Sequence, residues 1–245
     1  MFGAARRPKQ CTAKIVKIQP GVQTSTHMYA SSTPPYGLLF FLPTPIVVMS
    51  LLRYNAATTL DGFIASPDGS TDWIVDDASI NFTALYAQFS TFIMGRKTYE
   101  VMANQEPNPL AGRQRGSVVV VSGTLDPAEH PGITVLREDP VEFIRQLKAS
   151  LAARIPDTAS GGKGGDIWLM GGGQLVEACL EAELVDAIEA AVMPVVIGRG
   201  IRMAAGPDDK RGGRACKLEL EHVERLPGSG ILMTRYRVHY GSNLA

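Results

Sequence analysis

The chain has 245 residues, 45% hydrophobic and 20% charged, and its 24 basic and 24 acidic side chains cancel to a formal net charge of zero. Such a composition belongs to ordinary soluble proteins, and the length suits one large domain or two small ones. Residues 1–52 hold five of the bases and no acid, so the remainder has 19 basic against 24 acidic residues, a net of −5, which excludes a basic nucleic-acid-binding stripe.

Residues 1–50 are set outside the fold. Their Ser/Thr-rich, acid-free composition suits a disordered extension, a mitochondrial presequence, or a leader to an initiator at Met49. The apolar run "GLLFFLPTPIVVMSLL" from Gly37 has 16 residues and two prolines, too short for a convincing membrane span. Cys11, Cys179 and Cys216 are scattered, with no disulfide framework and no Cys/His spacing for zinc, so a reducing cytoplasmic setting is expected. Cys179, on an apolar helix face, reads as a buried thiol.

The body, residues 51–245, opens with the strand "LLRYNAATTL" and an irregular, turn-rich stretch "DGFIASPDGSTDW". Residues 77–89 predict a helix, with Ile80, Leu85 and Phe89 near helical spacing. A short buried strand "STFIMG" leads into a short helix "KTYEVMAN", and β-branched "GSVVVVSGT" and "GITVLRED" predict two more strands. In "DPVEFIRQLKASLAARI", Asp139 is the expected N-cap, Pro140 takes the first helical position, and Glu142 completes a capping box. A loop at 157–166 precedes the strand "IWLM", three glycines and the helix "QLVEACLEAEL". "VDAIEAAVMPVVIG" predicts a strand, residues 206–214 a loop, and "CKLELEHVERL" with "GILMTRYRVHY" an antiparallel hairpin. Strands alternating with helices before a final hairpin predict one α/β domain, its sheet mainly parallel with an antiparallel edge.

In such sheets ligands gather at the carboxyl ends of strands, where helix N-termini attract anions. Three strand ends qualify. Gly95 permits close approach and is followed by Arg96, Lys97 and Thr98; Val121 leads into Ser122 and Thr124; and Gly171, Gly172 and Gly173 open the helix that begins with Gln174 and Leu175. Together they suit a ligand with several phosphates. No G-x-G-x-x-G follows a strand, "GGKGGD" lacks the Walker spacing, and no histidine stands beside a candidate nucleophile.

The segments "MGRKTYE", "VVVVSGT" and "MGGGQLVEACL", in that order, resemble the cofactor-binding segments of dihydrofolate reductase, and "NAATTLDGFIA" resembles its first strand and loop. With "LDGFIA", "GSTDWI" and "GGGQLVEACLEAELVDAI…MPVVIGRG", the chain is more similar to the reductase domain of the riboflavin-biosynthesis deaminase–reductase, the RibD C-terminal family. The resemblance covers residues 53–240 and implies a dihydrofolate reductase-like fold, a homodimer and an NADPH-dependent reductase acting on a small molecule, with no membrane or nucleic-acid partner. It implies that Ala57 and Ile64 touch the nicotinamide, that Gly95, Arg96, Lys97 and Thr98 hold pyrophosphate and 2′-phosphate, and that Val121 and Ser122 lie by the adenosine. The glycines, with Gln174 and Leu175, would receive the pyrophosphate, and a cis Gly–Gly peptide there would match dihydrofolate reductases.

The substrate half departs from the pattern. "SINFTALYAQF" lacks the acid that engages a pterin, and Met170 and Tyr86 stand where the riboflavin enzymes carry Glu and Arg. Asp61 is the candidate catalytic residue, and Asp61 with Trp73 the candidate substrate contacts; Asp61 could equally be a turn-former and Trp73 a core aromatic. The nominal reaction is reduction of the ribosyl side chain of a pyrimidine phosphate. Another small carbonyl or imine compound, dihydrofolate, or a non-catalytic nucleotide-binding module are the alternatives.

Overall fold

Four apolar residues in a row, Val118 to Val121, are characteristic of a strand covered on both faces, and the strand they form is paired on both sides in a sheet. The computed structural model describes residues 50–153, 165–204 and 216–241. In chain order the sheet uses β1 (Leu52–Thr59), β3 (Phe89–Gly95), β4 (Val118–Val121), β5 (Thr134–Leu136), β6 (Asp166–Gly171), β7 (Ala187–Met193), β9 (Lys217–Arg225) and β10 (Leu232–His239). Their spatial order is β5-β4-β3-β6-β1-β7-β10-β9. Pairings from β5 across to β7 are parallel, and β10 then runs antiparallel to both β7 and β9. This is the mainly parallel α/β sheet with an antiparallel edge that the alternation of elements predicts.

Side chains alternate across the sheet. Ile93, Val119, Ile167, Leu169, Leu52 and Tyr54 face α3 (Pro140–Ala152) and α4 (Gly173–Glu181), through Ile144, Leu175, Val176 and Cys179. Phe92, Met94, Val118, Val120 and Trp168 face α1 (Phe82–Tyr86) and α2 (Arg96–Ala103). Cys179 is fully buried, and desolvation pushes its thiol up to about 12.

Several local expectations change. The helix expected over 77–89 contracts to Phe82–Tyr86, because side chains upstream capture the backbone first. Asp77 accepts from the Ser79 N–H (2.9 Å) and Asn81 caps the helix by accepting from the Ala84 N–H (2.9 Å). The stretch read as irregular contains β2 (Phe63–Ala65), paired antiparallel with β8 (Ile201–Arg202). Asp139 caps α3 through the Val141 N–H (2.9 Å), but Glu142 turns to Arg145 (2.6 Å) and Gln146 (3.0 Å), leaving the capping box half made. β7 stops at Met193, one residue before Pro194, which cannot donate to a ladder. The loop readings at 157–164 and 206–214, and everything assigned to residues 1–49, lie outside the described residues. No helix among the described residues is long and apolar enough to cross a membrane.

Candidate active site

The sheet register brings the glycine-bearing strand ends level: Gly95 pairs with Val121, and Met94 with Gly171. A helix starts immediately after each glycine end. Gly95 is the N-cap of α2 and Gly172 the N-cap of α4, and neither has a side chain to cap with. The first N–H groups of a helix have no intrahelical partner, so those of Arg96 and Lys97 and of Gly173 and Gln174 stand at two positive helix ends. Gly171 takes φ +120°, which a side chain would strain, and the Gly171–Gly172 peptide is cis. A Cβ at Gly95 would come 3.9 Å from the Gly172 nitrogen and 4.0 Å from the Gly171 oxygen, while one at Gly172 would meet nothing within 4 Å. A Cβ at Gly171 would stand 3.8 Å from the Thr98 hydroxyl oxygen. The two helix starts therefore face a common space kept clear by missing side chains. Unfilled backbone donors beside exposed cations fit the pyrophosphate and phosphate groups of a dinucleotide.

The cations differ in how far they are engaged. Arg96 reaches the Thr124 hydroxyl (3.4 Å) beyond β4 and lies 3.5 Å from Glu100, one turn along α2. Lys97 is exposed and carries neither ion pair nor hydrogen bond.

Two residues of the cofactor set are also bound into the fold. The Ser122 hydroxyl oxygen is buried and accepts from the N–H groups of Thr124 (3.2 Å) and Leu125 (3.0 Å), so it makes the turn after β4. Leu175 is core, and its N–H closes the first turn of α4 on the Gly172 oxygen (3.0 Å). Hydroxyls and N–H groups at strand ends read alike in sequence whether they face a ligand or the chain.

On the other side, β1 ends in a braced turn. Thr59 accepts from the Phe63 N–H (3.0 Å) and donates to Asp61 (2.6 Å), and Asp61 also accepts from the Gly198 N–H (2.7 Å). The Thr59 hydroxyl, chiefly, holds the Asp61 carboxyl below the usual carboxylate range. Asp61 thus braces the turn between β1 and β2. Trp73 packs against the buried cluster of Met193, Leu226 and Ile231, and its indole Nε1 is buried without a hydrogen-bond partner. Asp77 fastens the Trp73 segment to the hairpin turn by accepting from Ser229 (2.6 Å), and with Ser79 this lowers its pKa to about 2.

Met170 joins the aromatic cluster of the sheet, and Tyr86 stacks on Trp168 at 4.9 Å with the Arg113 guanidinium 4.7 Å above it. Both are packing residues here. Sequence reasoning missed a buried charge network behind the cleft. Arg53 donates to Glu189 through Nε (2.9 Å) and Nη2 (2.8 Å), and through Nη1 to Asp166 (3.0 Å) and Gln88 (2.9 Å). Asn55 (2.8 Å) and Arg235 (3.1 Å) complete the shell of Glu189. Its signal was present: an Arg and a Glu inside otherwise apolar strands are costly unless paired.

The model of the RibD C-terminal domain matches residues 50–232. The chain belongs to the RibD C-terminal domain family. Among relatives, the uncharacterized protein YwjB of Bacillus subtilis (strain 168) is 30% identical over 148 residues, 59% of this chain and 77% of that protein. The uncharacterized protein YyaP of the same strain is 29% identical over 155 residues, 60% of this chain and 76% of that protein. Among solved structures, this RibD C-terminal domain resembles a diaminohydroxyphosphoribosylaminopyrimidine deaminase/5-amino-6-(5-phosphoribosylamino)uracil reductase from Thermotoga maritima (TM-score 0.53, 17% identity, covering 78% of this chain and 57% of that one). A pyrimidine reductase-like protein from Corynebacterium diphtheriae aligns at TM-score 0.51 with 14% identity, covering 78% of this chain and 93% of that one. At those identities the likeness is one of fold.

Proposed function

We propose that this RibD C-terminal domain protein is an NADPH-dependent reductase of a small organic compound. The observation that carries the reading is the pair of uncapped helix starts facing one another across Gly95 and Gly172, with Arg96 and Lys97 at the rim. A bound nicotinamide cofactor supplies the hydride. The chain's part is placement. The N–H groups of Arg96, Lys97, Gly173 and Gln174 receive pyrophosphate, Thr98 offers a hydroxyl beside Gly171, and Arg96 and Lys97 take the 2′-phosphate. Val121 and the Ser122 turn shape the adenosine side, while Ala57 and Ile64 line the nicotinamide end. Trp73 and Ala57 both pack on the small core of Met193, Leu226 and Ile231.

The family's name points first to a pyrimidine bearing a phosphoribosylamino group, the compound for which the Thermotoga reductase is named. Met170 and Tyr86 leave that substrate without two contacts, and the missing acid on α1 disfavours a pterin. The homodimer implied by family resemblance has a surface to use: Leu218, Leu220, Val223 and Leu232 are exposed on the β9–β10 hairpin. NADPH consumption followed across aminopyrimidine, pterin, carbonyl and imine panels tests the proposal. Turnover in one class is expected; cofactor binding without turnover in any would favour a non-catalytic module.

A further inference from the structure

This inference rests on the reductase reading and concerns what the reduced compound must carry. β1 is the fifth of the sheet's eight strands, paired with β6 on one side and β7 on the other. Leu52 to Tyr54 and Thr58 to Thr59 are buried, yet Asn55, Ala56 and Ala57 between them are only half-buried. So is Ala191, which pairs with Ala57 across β7. A strand in the middle of a sheet has no free edge, so this exposure comes through a face of the sheet. Asn55 and Ala57, two residues apart, share the face that bears Arg53, Glu189 and Trp168.

That face carries two separate apolar clusters. One is built on Phe92, Met94 and Trp168, with Tyr86 and Met170 packed on it; the other is Met193, Leu226 and Ile231, with Ala57, Ala191 and Met233 packed on it. Asn55 stands beside the first, where the Trp168 Nε1 donates to its backbone carbonyl (2.9 Å). The opening over β1 therefore lies between the clusters. Ala57 is on its floor, and Asn55 is about 6–7 Å farther along β1 from the glycine-bearing strand ends.

The side chain of Asn55 has one orientation. Glu189, held by Arg53 (2.9 and 2.8 Å) and Arg235 (3.1 Å), is a carboxylate and can only accept, so the Asn55 amide nitrogen donates to it (2.8 Å). Turning the amide over would set oxygen against oxygen. The Asn55 Oδ1 is thus directed away from Glu189. It accepts no hydrogen bond among the described residues, and it is not buried. A fixed acceptor without a partner, on the same face as the proposed nicotinamide contact Ala57, is a place for a donor on the substrate.

We infer that Asn55 is a specificity-determining residue, its Oδ1 accepting a hydrogen bond from an N–H or O–H group of the compound that is reduced. The substrate is a carbonyl or imine compound that carries such a donor, a ring amide N–H or a hydroxyl, on the side away from the cofactor phosphates. A compound with that donor methylated leaves the acceptor covered and unpaired.

The test uses the full chain saturated with NADPH and three pairs of probes. These are uracil with 1,3-dimethyluracil, 4-hydroxycyclohexanone with 4-methoxycyclohexanone, and 4-(hydroxymethyl)benzaldehyde with its methyl ether. Each pair keeps the carbonyl and loses only the donor. In at least one pair the donor-bearing member is expected to bind about tenfold more tightly than its methylated partner. Asn55→Leu is close in size and leaves Glu189 its two arginines. It is expected to bring that pair to within about twofold while NADPH affinity stays at the parent's value. If Asn55→Leu does not fold, Asn55→Ala removes the same acceptor. Equal binding within every pair, tighter binding of the methylated members, binding of no probe, or a preference that survives the substitution overturns the inference. A chain that binds no NADPH overturns the reductase reading and this inference with it; one that binds NADPH and ignores the donor overturns only the inference.

Discussion

Gly95→Ala separates what the cradle does for folding from what it does for a ligand. Gly95 has φ −77° and ψ 163°, a conformation any residue adopts, and the added methyl would lie 3.9 Å from the Gly172 nitrogen, ordinary van der Waals contact. The folded state therefore accepts alanine. Losing glycine's freedom in the unfolded chain stabilises by about 0.4–1 kcal/mol, alanine's poorer standing at an N-cap offsets much of that, and Tm should move by less than roughly 4 °C. The same methyl stands between the starts of α2 and α4. A phosphate oxygen needs about 2.7–2.9 Å to a backbone nitrogen for a charge-assisted bond, and the methyl pushes it off at least one donor. One such contact is worth about 1.5–3 kcal/mol, or roughly 10- to 150-fold in affinity. Fluorescence titration with NADPH and a thermal melt on the same sample give both numbers. A variant that melts no lower than the parent and binds NADPH within about twofold of it would refute the cradle.

Arg96→Ala should weaken NADPH binding toward the lower part of that same range, about tenfold, because Arg96 is exposed and shares its charge with Glu100; NADH should be nearly unaffected, and equal losses for both would put Arg96 on the pyrophosphate. Lys97→Ala should do less, as a flexible point charge. Glu189→Gln leaves Arg53 buried with Asp166 alone and should cost about 3 kcal/mol, seen as a Tm fall of roughly 6–12 °C; a fall under about 2 °C would mean the network contributes little. Asp77 titrates lower in the folded chain, near 2, than in the unfolded one, so its contribution is complete above about pH 4 and fades as pH falls toward 2. Asp77→Asn should flatten the stability profile across that window, and an unchanged profile would count against the Ser229 anchor. Light scattering should find a dimer that Leu220→Lys converts to monomer; a monomeric parent ends the dimer proposal.

The strands and the glycine tract were legible because their signals are local. The run Val118–Val121, the alternation in the hairpin and the glycines before α4 each state their geometry within a few residues. Helix α1 was not, since Ile80, Leu85 and Phe89 have helical spacing while Asp77 and Asn81 spend their side chains on backbone N–H groups. The Arg53–Glu189 pair spans 136 positions and exists because the register sets Asn55 beside Glu189; no window of sequence contains it. The hydrogen bonds of Asp61 and Ser122 within their turns, and the burial of Leu175, were not legible in the sequence. Whether an oxygen or N–H at a strand end faces solvent or a neighbouring turn depends on loops that meet it only in three dimensions, as Gly198 meets Asp61.

The most direct test of the central claim is a titration of the intact chain with NADPH, read by energy transfer from its two tryptophans, Trp73 and Trp168, to the reduced nicotinamide. The account predicts saturation with a Kd in the micromolar range typical of such sites, and weaker binding of NADH. No saturation up to about 1 mM NADPH, the upper end of ordinary KM values, would contradict it.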